Sequence, residues 1–257
     1  MVITTRLYGG LGNQMFQYAI ARAYQLRTGI PFLVDTHHIS HTGTTVAPRH
    51  YELGNFICNP PVRNVWQRIH KTSVVDERFT IPEKFNTLEL DNLELVGYWQ
   101  DEKYFKNYRK EICEDFLLRS EWNWFECRNP VSVHIRRGDY VGSELHPALD
   151  TDYYKQAFEI IESQVKNPDY CVFSDDKEAI KMLSELRMVH PITANDSNHG
   201  YLDLELMKYC YHHIIANSSF SWWGAWLCEN PDKIVVAPKR WFNGREFEGV
   251  PKGWVRV

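Results

Sequence analysis

The chain has 257 residues, which is enough for one large domain or for two of about 120 residues each. Hydrophobic residues make up 44% and charged residues 24%, as in an ordinary globular protein. The net charge is −4 and the acidic excess lies in residues 129–257, so the sequence lacks the basic face of a protein that binds nucleic acid.

The first predicted elements are a strand, a glycine loop and a helix. The segment "VITTRL" (2–7) is short and β-branched, and Gly9, Gly10 and Gly12 follow it, which is typical of a strand that enters a tight loop. From Asn13 to Arg27, apolar residues recur every three or four positions, which predicts a helix with one buried stripe.

The rest of the first half has weaker patterns. "FLVD" (32–35) is its last predicted strand, and irregular structure is expected over residues 35–64. The stretch 97–109 leads into a helical segment that runs through Phe116. A domain boundary is predicted where "SEWNWFECRNP" (120–130) loses periodicity, which gives domains 1–128 and 129–257.

The second half alternates strands and helices. This alternation predicts βαβ units, and so a parallel sheet with helices on both faces. The predicted strands are 131–135, 170–173, 213–217 and 233–237, and the predicted helices lie near 152–166, 177–186, 200–211 and 219–228.

Polar loops follow three of these strands. They are "HIRRGDY" (134–140), "FSDD" (173–176) and "NSSFSWWGAW" (217–226). Ligands of open parallel α/β sheets bind at the carboxyl ends of the strands, so we expect these loops to converge on one rim.

Two adjacent arginines are the strongest site signal. Arg136 and Arg137 are either surface residues paired with Asp139 or ligands of an anion. They directly follow a strand predicted to be buried, and guanidinium groups are preferred partners of phosphate oxygens. We therefore favour a diphosphate ligand, with Asp139 orienting an arginine or capping the turn.

Each remaining polar group in these loops has two interpretations. Asp175 and Asp176 either cap the following helix or accept hydrogen bonds from a guanine edge. Serines 218, 219 and 221 either cap the tryptophan-rich helix or help to bind an anion at its N-terminus.

Two further motifs resemble nucleotide or metal signatures. "GGLGNQMF" (9–16) fails the dinucleotide fingerprint at Met15 and lacks the Lys-Ser/Thr of a P-loop, although its glycines permit close backbone approach and Asn13 offers a directional amide. "LDTDYY" (149–154) contains a DxD, but its aspartates precede a predicted helix. Helix capping is the favoured interpretation, and no metal is expected.

Taken together, "GGLGNQMFQYA", "GYWQDEKYF", "VSVHIRRGDY", "FSDD" and "IIANSSFSWWGAWL" resemble glycosyltransferase family eleven, the α-1,2-fucosyltransferases, in order over nearly the whole chain. The resemblance implies an α/β fold of the GT-B type with two facing Rossmann-like domains, the C-terminal one binding GDP-fucose and the N-terminal one serving the acceptor. It implies inverting transfer of L-fucose from GDP-β-L-fucose to the 2-hydroxyl of a terminal β-galactoside, with neither metal nor other cofactor.

The resemblance also implies residue roles. Arg136 and Arg137 would hold the diphosphate, and Asn13 would lie where donor and acceptor meet. The candidate catalytic residues are Arg136, Asp139 and Asn13. The candidate donor-binding residues are Gly10, Gly12, His134, Arg136, Arg137, Asp175, Asp176, Ser218, Ser219 and Phe220. The general base stays open among Asp139, Glu144, His146 and Asp152.

Location follows from the cysteines and the N-terminus. The six cysteines form no CxxC or metal-ligand spacing, and "MVITTRLYGGLGNQ" has no signal-peptide pattern. We expect a bacterial-type cytoplasmic enzyme, at most peripheral at the inner face of the membrane, that acts in surface polysaccharide synthesis such as that of O-antigen.

Three rival functions stay open. The chain is alternatively a fucosyltransferase of other linkage or acceptor, a non-catalytic GDP-sugar-binding module, or a nicotinamide-dependent oxidoreductase. The failed glycine fingerprint weakens the last.

Overall fold

The structure is a computed structural model that describes residues 1–39, 49–63, 72–77, 92–120, 127–137, 140–174, 176–192 and 199–257. The chain forms two compact units, Met1–Glu121 and Trp122–Val257, whereas the sequence suggested a division after residue 128. Each unit has its own parallel sheet.

The first unit has a four-stranded sheet in the order β2-β1-β4-β3, with every pair parallel. Its described helices and strands are β1 (Ile3–Arg6), α1 (Leu11–Thr28), β2 (Phe32–Asp35), β3 (Thr72–Asp76), β4 (Asn92–Val96) and α2 (Arg109–Asp115). The predicted β1, α1, β2 and α2 are therefore confirmed. The expectation that "FLVD" is the last strand of this half is wrong, because β3 and β4 follow it.

Helix α1 is more deeply buried than one apolar stripe requires. Both Gln14 and Gln17 are fully buried on it beside the apolar residues. The helix ends at Gly29, whose φ of 75° is the left-handed conformation that favours glycine at this position, and the Gly29 N–H donates to the carbonyl of Gln25. Helix α1 is thus an interior element of its unit.

The second unit has a six-stranded parallel sheet in the order β10-β9-β8-β5-β6-β7. The predicted strands and helices are confirmed, but the edge strands β7 and β10 were missed: β7 contains Pro191, and β10 has two residues. Its elements are β5 (Pro130–His134), α3 (Thr151–Gln164), β6 (Asp169–Phe173), α4 (Lys177–Ser184), β7 (Val189–Ile192), α5 (Gly200–Tyr209), β8 (His212–Ile214), α6 (Ser219–Leu227), β9 (Val235–Ala237) and β10 (Val255–Arg256).

Helices cover both faces of this sheet, as predicted. Alternate side chains of β6 show the two faces: Tyr170 and Val172 pack in one core cluster with residues of α3 and α4, while Cys171 and Phe173 pack in another with residues of α5. This period-two alternation, with apolar residues on both faces, is what a parallel sheet between two helical layers requires.

In the described part of the chain, no helix combines the length and the apolar character needed to cross a membrane.

Candidate functional site

The carboxyl ends of three neighbouring strands form one rim of the second sheet. Strand β5 lies between β8 and β6, with Val133 opposite Ile214 and His134 opposite Phe173. Because the three strands are parallel, the chain leaves all of them at the same edge. The predicted convergence of three polar loops is confirmed, and we call this edge the donor rim after the sugar-nucleotide donor that the sequence resemblance predicts for it.

His134, the last residue of β5, links this strand to α6. Its ring Nδ1 lies 2.9 Å from the hydroxyl of Ser221, and its ring centroid lies 5.7 Å from that of Phe220. The side chain is buried. Burial, and to a smaller extent the charge of Arg136, lowers the pKa of His134 to about 3. The imidazole is therefore neutral at neutral pH.

The low pKa of His134 predicts a loss of stability in mild acid. In the unfolded chain this histidine takes up a proton as pH falls through about 6.5, whereas the folded state resists protonation down to about pH 3, so stability is complete above the unfolded pKa and declines below it. Between pH 7 and pH 5 we expect a loss of about 2 kcal/mol from this group. His213 is also fully buried, its pKa is lowered by burial, and it acts in the same direction.

Urea unfolding at pH 7 and pH 5 tests this prediction. In the His134→Gln variant, the loss between the two pH values should be smaller than in the parent by that amount. An equal loss in both proteins would show that His134 does not carry the effect.

The two arginines of the donor rim are both half-buried and have different neighbours. The Nε atom of Arg137 lies 3.3 Å from Oδ2 of Asp176, within ion-pair distance but without hydrogen-bond geometry. The guanidinium carbon of Arg136 lies over the ring of Tyr140, 5.7 Å from its centroid. Asp139 lies outside the described residues, so its predicted role stays a prediction.

Asp176 is the N-cap of α4. Its Oδ1 accepts hydrogen bonds from the backbone N–H groups of Glu178 and Ala179, at 2.9 and 3.1 Å, and its Oδ2 is the oxygen near Arg137. The capping interpretation is thus confirmed for Asp176, and a bidentate contact with guanine would need both oxygens to leave these partners. Asp175, the other candidate, lies outside the described residues.

Ser218 is the N-cap of α6, and its hydroxyl accepts a hydrogen bond from the N–H of Phe220 at 3.3 Å. Ser219 is the first residue of the helix and Phe220 the second, and both are half-buried. Ser221 does not cap the helix through its side chain but contacts His134 instead. The N-terminus of α6 therefore opens at the donor rim beside the arginines, where its dipole favours an anion.

The glycine loop of the first unit has a close-packed backbone. Gly9 has a φ of 71°, the left-handed conformation that favours glycine, and a Cβ atom placed there would lie 2.5 Å from the Asn13 side-chain nitrogen and displace it. Gly10 is the N-cap of α1, and Gly12 is buried in its first turn. The side-chain oxygen of Asn13 accepts a hydrogen bond from Gln100 at 2.7 Å.

Two buried glutamines hold this loop, and their role was missed in the sequence. Gln14 donates to the carbonyls of Gly9 and His50, at 3.1 and 2.7 Å. Gln17 accepts from the N–H of Tyr8 at 2.9 Å and donates to the carbonyl of Gly97 at 3.2 Å. Two amides three positions apart on a buried helix face were the available signal, since a buried amide needs hydrogen-bond partners.

The DxD motif begins a helix, as predicted. Asp150 is the N-cap of α3 and accepts from the N–H of Tyr153 at 3.0 Å. Asp152 is exposed and pairs with Lys155 at 3.5 Å. Among the described residues, no three or more His, Cys, Asp or Glu side chains are grouped so that they could hold a metal ion.

The fold matches that of a known sugar transferase. The crystal structure of fucosyltransferase NodZ from Bradyrhizobium aligns over 87% of this chain and 92% of its own, with a TM-score of 0.53 and 14% sequence identity. The likeness confirms the predicted α/β fold class of the GT-B type.

The chain is a glycosyltransferase and belongs to glycosyl transferase family 11, whose family model matches residues 1–256. It is 32% identical to the alpha-1,2-colitosyltransferase of Escherichia coli, over 100% of this chain and 99% of the relative. It is 33% identical to the O-antigen biosynthesis glycosyltransferase WbnK of Escherichia coli, over 93% and 94%. The galactoside 2-alpha-L-fucosyltransferase Sec1 of Mus musculus is 25% identical, over 88% of this chain and 64% of the relative.

Proposed function

We propose that this chain transfers L-fucose from GDP-β-L-fucose to the 2-hydroxyl of a terminal β-galactoside, with inversion and without a metal ion, in the synthesis of a bacterial surface polysaccharide such as an O-antigen. The observation that carries the proposal is the meeting of Arg136, Arg137 and the N-terminus of α6 at the donor rim. The names of two relatives support this proposal. The name galactoside 2-alpha-L-fucosyltransferase supports fucose as the sugar, and the name O-antigen biosynthesis glycosyltransferase supports a role in surface polysaccharide synthesis.

The chemistry of the leaving group explains why the rim is cationic. Cleavage of the bond between fucose and GDP develops positive charge on the sugar carbon and negative charge on the β-phosphate. Guanidinium groups and backbone N–H groups placed before the reaction stabilise that negative charge without reorganising. In this proposal, Arg136 and Arg137 bind the diphosphate, and the N-terminus of α6 adds the favourable end of a helix dipole.

The contact between Arg137 and Asp176 fits the same scheme. The carboxylate holds the arginine at the rim and is itself fixed by two backbone N–H groups of α4. Phosphate oxygens accept bidentate hydrogen bonds from guanidinium, so the donor can engage Arg137 while Asp176 keeps its cap. Asp176 thus serves to orient an arginine as well as to begin a helix.

One relative suggests a second candidate sugar for the donor. The alpha-1,2-colitosyltransferase matches this chain end to end at 32% identity. Colitose is fucose without the 3-hydroxyl, so the two sugars differ in a single hydrogen-bonding group. The second candidate function is therefore transfer of colitose to the same position of the acceptor.

A panel assay tests both candidates. The purified chain is incubated with GDP-fucose, GDP-colitose, GDP-mannose and UDP-galactose, each with a β-galactoside, and products are analysed by mass spectrometry and by NMR for linkage and anomeric configuration. We expect an α-1,2-fucosyl product, and unchanged activity after dialysis against EDTA. A product made only from GDP-colitose would favour the second candidate. Loss of activity with EDTA that Mg²⁺ restores would contradict the metal-free mechanism.

A further inference from the structure

Three aromatic rings in contact lie beside Arg136, and none of them was assigned a binding role from the sequence. The rings of Tyr140 and His146 are nearly parallel, with centroids 4.5 Å apart and an interplanar angle of 15°. The ring centroid of Phe242 lies 5.1 Å from that of His146, and the two rings are tilted by 47°. We call these three residues the aromatic column, and the guanidinium of Arg136 lies over the ring of Tyr140.

Hydrogen bonds fix the column to the end of β8. The hydroxyl of Tyr140 donates to the carbonyl of Asn217 at 3.2 Å. The side chain of Asn217, which is fully buried, donates to the carbonyls of Pro147 and Trp241, at 3.0 and 3.1 Å. A single buried asparagine therefore holds the backbone on both sides of the column, directly before the N-cap of α6.

The column also has support at its far end. Asn243 donates through its N–H to the carbonyl of Leu145 and through its side chain to the carbonyl of Glu144, at 2.8 and 2.9 Å. The guanidinium of Arg245 lies 3.9 Å from the centroid of the Phe242 ring. The segment that contains His146 is thus tied to the segment that contains Phe242, so the aromatic column is held by hydrogen bonds as well as by ring contact.

A ring face has one property that a carboxylate partner lacks. Both kinds of partner restrict the rotamers of a long arginine side chain before the ligand binds, so the arginine loses less conformational entropy when it binds. A carboxylate, however, competes with phosphate for the guanidinium, whereas an aromatic face attracts the cation through its quadrupole and leaves the N–H groups at the guanidinium edge able to donate. At the donor rim, Arg137 lies near the Asp176 carboxylate, and Arg136 lies over the ring face of Tyr140.

We infer that Tyr140, supported by His146 and Phe242, is a positioning residue: its ring holds Arg136 in the orientation that binds the leaving diphosphate. This inference rests on the proposed function. Because presetting stabilises charge that develops during bond cleavage, it should raise kcat more than it lowers the KM for the donor. The ring of Tyr140, and not its hydroxyl, supplies the contact.

The test compares Tyr140→Leu with Tyr140→Phe. In Tyr140→Leu we expect kcat for fucosyl transfer to fall about 5- to 30-fold, the range of a cation–π contact, with the KM for GDP-fucose changed less than threefold. Tyr140→Phe keeps the ring and should stay within threefold of the parent. Tyr211→Leu is the matched control, because Tyr211 is 48% exposed at the opposite, amino end of β8 and should leave both constants unchanged.

A second pair of variants covers the case in which Tyr140→Leu does not fold, as judged by circular dichroism. His146→Phe and His146→Ala both remove the imidazole, so a loss of kcat from a missing general base would be the same in the two variants. His146→Phe keeps an aromatic ring next to Tyr140, and we therefore expect a higher kcat in His146→Phe than in His146→Ala. A kcat within twofold of the parent in the ring-deleting variant would overturn the inference. Equal damage in Tyr140→Phe and Tyr140→Leu would also overturn it, because the hydroxyl would then be the important group.

Calorimetry with GDP separates this inference from the proposed function. If the parent transfers no fucose in the panel assay, the proposed function fails while the positioning of Arg136 can still be measured. We expect Tyr140→Leu to bind GDP about fivefold more weakly than the parent and Tyr140→Phe to bind it equally well. Equal GDP affinity in all three proteins would contradict the positioning role.

Discussion

Replacing Arg136 by alanine should lower the rate of fucosyl transfer about 10²- to 10³-fold, which corresponds to about 3–4 kcal/mol of lost transition-state stabilisation. The physical reason is that the negative charge on the departing diphosphate would lose a cation placed beside it. Arg136→Lys should be intermediate, because lysine keeps the charge but cannot form the bidentate contact. The measurement is kcat and kcat/KM for transfer, together with hydrolysis of GDP-fucose.

Arg187 provides the matched control for this prediction. It is an arginine of the same unit whose guanidinium pairs with Glu162 at 2.6 Å on the surface. The pair is exposed enough to contribute little to the stability of the unit. Arg187→Ala should leave transfer unchanged. If Arg136→Ala keeps activity within a factor of two of the parent, the leaving-group role of Arg136 is wrong.

Replacing Trp222 by alanine should destabilise the second unit by about 3–5 kcal/mol, because a large buried side chain leaves a cavity. Trp222 is fully buried, its indole N–H donates to the carbonyl of Gly249 at 2.8 Å, and its ring lies near those of Trp223 and Trp226. The midpoint of thermal unfolding, followed by near-ultraviolet circular dichroism, should fall by about 10 °C.

The half-buried Trp254, whose ring centroid is 5.6 Å from that of Trp222, serves as the comparison. Trp254→Ala should lower the midpoint by less than half as much, because less of its surface is removed from water. A Trp222→Ala protein with the parent's melting temperature would show that these rings do not form the core. The tryptophans of α6 are thus packing residues, although an aromatic-rich composition also fits a protein that handles sugars.

The second half of the fold could be predicted from the sequence because its elements carry their own patterns. Strands such as β5 and β6 are short apolar runs buried on both faces, and amphipathic helices separate them. Strands β3 and β4 were missed although "TSVVD" is rich in β-branched residues and "NLELV" alternates apolar and polar residues, because a five-residue pattern does not by itself separate a strand from a loop. Their stability comes from ladder pairing, with β4 hydrogen-bonded to β1 on one side and β3 on the other.

The candidate site could be predicted where a side chain hydrogen-bonds to residues close to it in the sequence. Helix caps at Asp150, Asp176 and Ser218 follow from local sequence, since a cap bonds to residues two or three positions away. The ties made by Gln17, and the aromatic column, join segments far apart in the chain. No spacing rule relates Tyr140 to residue 217, so only the folded structure could show that contact.

The strand order of the second sheet has a consequence for how donor preference can change within this fold. The donor rim is carried by β8, β5 and β6, which are interior strands, with β9 and β7 outside them. Each rim loop begins a separate crossover to the next strand, so its sequence can vary while the hydrogen-bonded ladder beneath stays intact. Under the proposed function, a change of donor sugar therefore requires changes in a single rim loop, while the sheet that holds Arg136 and Arg137 in place is retained.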